Sequence, residues 1–148
     1  MNNTVYLLTG ATGFLGSNIS RSLLDKGCKV CALVMENDRA LQSVPKEVEI
    51  VFGNLLDKAA LDSFFTVPEN TETIMLHCAS FVTVDPNWNQ KVYDVNVTGT
   101  ANIIDMCLKY KVKKLVYVSS TGAIPELPKG EVIKEVASFN PDAVIGCY

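Results

Sequence analysis

Short apolar runs recur along the chain at Val5 to Leu8, Lys29 to Val34, Val48 to Phe52, Thr73 to Cys78 and Lys114 to Val118. Their length and bounding turn residues predict strands. Val30 to Val34 is apolar at every position, which suits a strand covered on both faces. Between most of these runs the spacing becomes helical. Leu15, Ile19 and Leu23 predict a helix over Phe14 to Lys26, closed by Gly27. Asp57 is a candidate N-cap for a second helix ending near Phe65. The longest stripe joins Trp88, Val92, Val95, Gly99, Ile103, Met106 and Tyr110, with Gly99 expected to pack closely on the sheet.

Strands alternating with helices predict an α/β fold with a doubly wound parallel sheet. After Ser119 the pattern dissolves around Pro125, Pro128, Gly130 and Pro141 into a loop of about 25 residues, a length usually tied to a functional site or to a missing partner segment. No repeat, low-complexity tract or linker divides the chain. One domain over residues 1–148 is expected, with one hydrophobic core and too little chain for a complete two-part enzyme.

Composition narrows the function classes. The net charge is -3, and the 13 Lys and Arg residues are scattered apart from the cluster between Lys109 and Lys114, so nucleic acid is not an expected partner. Hydrophobic residues make up 48%, yet no apolar run approaches the roughly 18 residues a membrane span needs. Met1-Asn-Asn-Thr leads straight into the first strand, which predicts no signal peptide and a soluble cytoplasmic protein without membrane partners. Cys28 and Cys31 form a C-x-x-C, but no second ligand pair accompanies them. With Cys78, Cys107 and Cys147 they read as ordinary thiols in a reducing compartment, and no metal site is expected.

The most telling stretch is Thr9-Gly-Ala-Thr-Gly-Phe-Leu-Gly16, three glycines between a strand and a helix. Gly10, Gly13 and Gly16 would let a dinucleotide pyrophosphate approach backbone N–H groups at the positive end of the helix dipole. The same triplet also serves as a tight strand-to-helix turn, so its flanks matter. Ser119 and Ser120 stand at the carboxyl end of the last strand, where open α/β sheets place ligands. His77 is the sole histidine, and at the end of a central strand it reads as a packed, hydrogen-bonded residue rather than a catalyst. Asn96 lies one step off the buried stripe of its helix, where an amide needs polar partners. Thr98 and Thr100 read as surface or helix-packing residues.

These motifs together resemble the N-terminal half of an extended short-chain dehydrogenase/reductase, the superfamily of NAD-dependent sugar-nucleotide epimerases and dehydratases, dihydroflavonol reductases and 3β-hydroxysteroid dehydrogenases. The resemblance runs from Val5 to Tyr148 and rests on Thr9 to Gly16, Gly53-Asn-Leu55, His77-Cys-Ala-Ser80, Asn96-Val-Thr-Gly-Thr100 and Val116-Tyr-Val-Ser-Ser120. It implies a Rossmann-type NAD(P)-binding fold cut off after about five strands, the N-terminal part of a longer protein whose substrate domain is absent. The cofactor contacts it implies are Gly10, Thr12, Gly13, Phe14, Leu15 and Gly16, then Asn54 and Leu55, then Cys78, Ala79 and Ser80. Asn54 departs from the family's usual Asp, although its side-chain oxygen still accepts a hydrogen bond.

By the same resemblance Ser120 matches the catalytic hydroxyl, Asn96 helps hold the active-site architecture, and Tyr148 matches the tyrosine that moves the proton of the reacting oxygen. The lysine that follows this tyrosine by one helical turn in the family is missing, and an unassisted phenol has a pKa of about 10. The expectation is therefore an oxidoreductase that acts on a carbonyl or alcohol by hydride transfer, with this chain alone inactive. A nucleotide-sugar epimerase or dehydratase is an alternative, weakened by Gly122-Ala-Ile-Pro125 where those branches carry Val-Tyr-Gly. A non-catalytic dinucleotide-binding module is another. Val34 and Met35 hold the positions that separate NAD from NADP, so Glu36, which suits a ribose hydroxyl, tips the expectation toward NAD against the opposite pull of Arg39. A small-molecule substrate and a homo-oligomer complete the expected partners.

Overall fold

A computed structural model describes residues 3–85 and 87–144. Its sheet has five parallel strands: β1 (Thr4–Thr9), β2 (Lys29–Val34), β3 (Glu49–Phe52), β4 (Glu72–His77) and β5 (Lys114–Tyr117), in the order β3-β2-β1-β4-β5. The chain winds outward from β1 to β3, then returns to lay β4 on the other side of β1. That reversal puts a topological switch point between β1 and β4, where α/β sheets open a crevice at their carboxyl ends. Register brings Thr9 level with Leu33 on one side and His77 on the other, so these strands end together beside the crevice.

Alternating side chains commit the sheet to two cores. Leu7, Cys31, Leu33 and Met75 pack with Leu61, Phe64 and Phe65 of α2 (Lys58–Phe65) and with Ile103 and Met106 of α4 (Thr100–Lys109). Leu8, Val30, Ala32 and Val34 face the other way, against Leu23 and Leu24 of α1 (Phe14–Asp25) and against Val44 and Val48. The link from β2 to β3 carries only the 3-10 turn Leu41–Ser43, and its Val44 and Val48 complete that layer. Full burial of a side chain such as Leu61 stabilises by about 1.5–3 kcal/mol. Among the described residues no helix is long and apolar enough to cross a membrane.

Two helices differ from the expected stripes. α1 turns Gly16, Ser17 and Ser20 inward, while Leu15 is 45% exposed. The cause is proximity: a Cβ on Gly16 would lie 2.1 Å from the Gly10 carbonyl oxygen, so the first turn of α1 abuts the β1 turn and admits only small residues there. The serine hydroxyls bond to backbone carbonyls three residues back, Ser17 to Phe14 and Ser20 to Ser17, and need no outside partner.

The long helix is divided. α3 (Gln90–Tyr93), capped by Asn89, runs into a π-helical turn (Asp94–Gly99) and then into α4. Val92, Gly99, Ile103 and Met106 are buried as the stripe predicts, but Trp88 precedes the helix and is 68% exposed. Gly99 meets Leu55 after β3 rather than the sheet itself, since a Cβ there would come within 2.9 Å of the Leu55 Cβ.

Beyond β5, residues 119–144 contain no strand, only the 3-10 turns Thr121–Ala123 and Pro141–Ala143. Asp57 caps α2 as expected, its carboxylate accepting from the amides of Ala59 (2.9 Å) and Ala60 (3.2 Å). Asp57→Ala therefore removes two bonds to orphan helix amides and should lower stability by about 1 kcal/mol, read as a lower urea midpoint with an unchanged slope.

Candidate functional site

A cavity of about 360 Å³ opens at the carboxyl ends of β1 to β4. Its floor is the glycine turn, with Thr9, Gly10, Thr12 and Gly13. Gly10 is at φ +72°, and a Cβ there would lie 2.7 Å from the Ala79 nitrogen, so the turn is conformationally and sterically reserved for glycine. Gly13 is the N-cap of α1, and no side chain caps the helix. The first-turn amides of α1 thus lack side-chain acceptors, as in an anion site at a helix N-terminus.

The remaining walls come from three other strand ends. Leu33 and Val34 end β2 and Met35 and Asp38 follow it; Gly53, Asn54 and Leu55 follow β3; Cys78, Ala79, Ser80 and Phe81 follow β4. Lys91 and Val95, from α3 and the π-helical turn, close the side. Asp38 is tied to the glycine turn: it accepts the Thr12 hydroxyl on Oδ2 at 2.7 Å and the Ala40 amide on Oδ1 at 2.8 Å. Lys91 stands over the Phe81 ring, its Nζ 4.5 Å from the ring centroid. Asn54 Oδ1 accepts the Leu56 amide at 3.1 Å, an Asx turn that holds this side chain at the cavity edge.

The expected contacts divide against this geometry. Gly10, Thr12, Gly13, Asn54, Leu55, Cys78, Ala79 and Ser80 come together around the cavity. Phe14, 89% exposed, and Leu15 do not line it, and Gly16 acts by letting α1 approach the turn. Glu36 and Arg39 do not line the cavity; Asp38 takes the place expected of Glu36. Ser120 lies outside the lining too, and its Oγ accepts the Gly122 amide at 3.1 Å. Tyr148 falls outside the described residues.

Asn96 acts at one remove. Its Oδ1 accepts the Phe81 amide at 2.7 Å and its Nδ2 donates to the Phe81 carbonyl at 3.0 Å, so one side chain holds both polar groups of that residue. This is the partner its near-buried position called for. The π-helical turn carrying Asn96 is the local departure that the 3.6-residue stripe could not reveal.

His77 is 1% exposed and bonded through both ring nitrogens: Nδ1 to the Thr9 hydroxyl at 2.7 Å and Nε2 to the Thr100 hydroxyl at 3.0 Å. Its ring also stacks on Tyr117, with centroids 5.7 Å apart. Desolvation pushes its pKa down to about 4. The expectation of a packed histidine holds, whereas Thr100 proves more than a packing residue. Thr9, Asp38, Phe81 and Lys91 were not anticipated either. Asp38 had a signal in being an acid just past β2, and Thr9 in being the last β1 residue before Gly10.

Cys28, Cys31, Cys78 and Cys107 are free thiols, and burial raises Cys31 to about 12 and Cys107 to about 11. Among the described residues no group of His, Cys, Asp or Glu could hold a metal ion.

The model of the NAD dependent epimerase/dehydratase family matches residues 6–147. Sterol demethylase protein B of Methylococcus capsulatus is 33% identical over 124 residues, covering 84% of this chain and 37% of that protein. A putative dihydroflavonol 4-reductase of Synechocystis is 30% identical over 145 residues, 97% of this chain and 40% of that protein. Among solved structures, the UDP-glucose 4-epimerase of Thermus thermophilus in complex with NAD superposes with a TM-score of 0.75 at 32% identity, over 94% of this chain and 45% of that one. The chain thus spans less than half the length of these relatives.

The buried histidine makes stability pH-dependent with a definite sign. Its folded pKa of about 4 lies below the usual 6.5, so the unfolded chain binds the extra proton between those values. Its contribution is complete above pH 6.5 and is lost as pH falls toward 4. Urea unfolding of the wild type should lose up to about 1.4 kcal/mol per pH unit across that window, relative to His77→Gln.

Proposed function

The chain belongs to the NAD dependent epimerase/dehydratase family, and on that premise we propose that it is the cofactor-binding domain, residues 1–148, of an oxidoreductase that acts on a carbonyl or alcohol by hydride transfer. The observation that carries this reading is the convergence of the Gly10 turn, the uncapped start of α1, Asn54 and the segment from Cys78 to Ser80 on one cavity. The residues fit a dinucleotide. A side chain at Gly10 would fill the space beside Ala79, and the α1 amides complement a pyrophosphate. Bound there, the nicotinamide would supply the hydride acceptor or donor.

The chain's own groups would do the rest. Gly10 and Gly13 would let phosphate oxygens reach the backbone, and Asn54 and Leu55, at the cavity edge, would border the adenine. Because Ser120 Oγ accepts the Gly122 N–H, its own O–H proton can be donated to a substrate oxygen. Tyr148 would take or return the substrate proton.

We assign cofactor preference to Asp38 rather than Glu36. Asp38 reaches the cavity while tied to Thr12, so a carboxylate sits where β2 ends. It suits a ribose hydroxyl and repels a 2′-phosphate, which favours NAD. Titration calorimetry of the chain should show NAD binding tighter than NADP by about tenfold, the scale of one charge interaction near a protein surface. Asp38→Asn keeps an acceptor for Thr12 and should shrink that ratio several-fold. If neither dinucleotide binds, the cofactor reading fails; if both bind equally to the wild type, only the role of Asp38 does.

A further inference from the structure

The segment after β4 forms a wall of the cavity, and two side chains hold it from the protein side. Asn96 grips both backbone groups of Phe81. Ahead of it, the Ala79 amide donates to the Thr9 hydroxyl at 3.3 Å. Thr9 is the residue before Gly10, and Ala79 is the residue that Gly10 nearly touches. The bond between Thr9 and Ala79 therefore sets the clearance between the glycine turn and the β4 wall.

His77 decides which way the Thr9 hydroxyl points. With Ala79 donating to its oxygen, the Thr9 proton has Nδ1 of His77 as its acceptor at 2.7 Å. Satisfying the Thr9 O–H as well as its oxygen calls for an unprotonated Nδ1, which puts the ring proton on Nε2, 3.0 Å from the Thr100 hydroxyl. Thr100 opens α4, immediately after the π-helical turn. The imidazole thus has two unlike ends, one facing the cofactor turn and one facing the helix.

We propose that His77 is a positioning residue for cofactor binding: its Nδ1 orients the Thr9 hydroxyl, which holds the Ala79 amide beside Gly10, while its Nε2 only anchors the ring to α4. This rests on the cofactor reading above, but it makes a claim that burial alone does not. A merely structural histidine would lose affinity in step with stability whichever nitrogen is replaced. A positioning histidine would lose it mainly when Nδ1 is replaced.

Two substitutions separate the ends. His77→Asn places an amide oxygen near the Nδ1 position and abandons Thr100; His77→Gln places an amide nitrogen near the Nε2 position and abandons Thr9. The dissociation constant for NADH, read from nicotinamide fluorescence, should stay within about threefold of wild type in His77→Asn and rise about tenfold in His77→Gln, although both lower the melting temperature. Thr100→Val and Thr9→Val probe the same two ends without touching the ring, and should reproduce the retained and lost affinity respectively. They decide the matter if the histidine variants fail to fold by circular dichroism.

Equal losses within each pair, or losses that track melting temperature, would overturn the proposal. So would an Nδ1–H tautomer in the imidazole nitrogen spectrum of the wild type. A wild-type chain that binds no NADH would sink the cofactor reading and this role with it, while an Nε2–H spectrum would still report the network as structural. The outcomes of the two ideas are therefore distinct.

Discussion

The close passage of the β1 turn under the end of β4 is the constraint on which the molecule depends. Parallel pairing brings Thr9 level with His77 and continues through the Cys78 amide to the Thr9 carbonyl at 3.3 Å. With the strands held at that level, the backbone just past each strand, Gly10 after β1 and the Cys78–Ala79 peptide after β4, must pass the other at close distance. Gly10 is the solution on one side and Ala79 on the other. The same crowding propagates into α1, whose first turn packs on the Gly10 carbonyl through Gly16. The cavity is what remains at the switch point once backbones, rather than side chains, occupy the inner layer.

Hydrophobic burial builds the layers, but it does not aim the cavity wall. Residues 78–81 leave β4 with Cys78 and Ala79 packed against the two cores, and hydrogen bonds to Thr9 and Asn96 fix the backbone of Ala79 and Phe81. Each such bond contributes only about 1 kcal/mol net, yet leaving a buried partner unsatisfied costs about 1–3 kcal/mol. That asymmetry makes the arrangement specific: a competing path for the segment would cost the Ala79 amide its Thr9 acceptor and the Asn96 amide both of its partners. The π-helical turn belongs to the same design. It carries Asn96 toward Phe81 while Gly99 still settles on Leu55, two demands that an uninterrupted helix would meet less readily.

The strands, the Asp57 cap and the glycine turn were legible in the sequence because each has a local signature: apolar runs, an acid before a helical stripe, glycines at fixed steps. The inward face of α1 was not legible. Leu15 and Ile19 dominate any hydrophobicity count, while the distance to Gly10 that selects Gly16, Ser17 and Ser20 is a tertiary quantity. Trp88 joined the stripe by spacing although the helix starts after it. Glu36 and Arg39 were weighed for the ribose by their position after the second strand, whereas the turn after β2 brings Asp38 to the cavity instead. Thr100 had no sequence signal at all, because its partner lies 23 residues away on a strand.

Rigidity is unevenly shared between the two halves of the site. The cofactor half rests on β1, β2 and β4, with Leu7, Leu8, Met75 and His77 buried beneath it and side-chain ties above. The half that holds Ser120 rests on β5, a four-residue edge strand whose Val116 and Tyr117 remain exposed, and beyond it the backbone is organised by local turns. The crevice at the switch point is therefore geometry fixed by the folded core, whereas Ser120, outside its lining, is held only by a local turn in which its Oγ accepts the Gly122 amide.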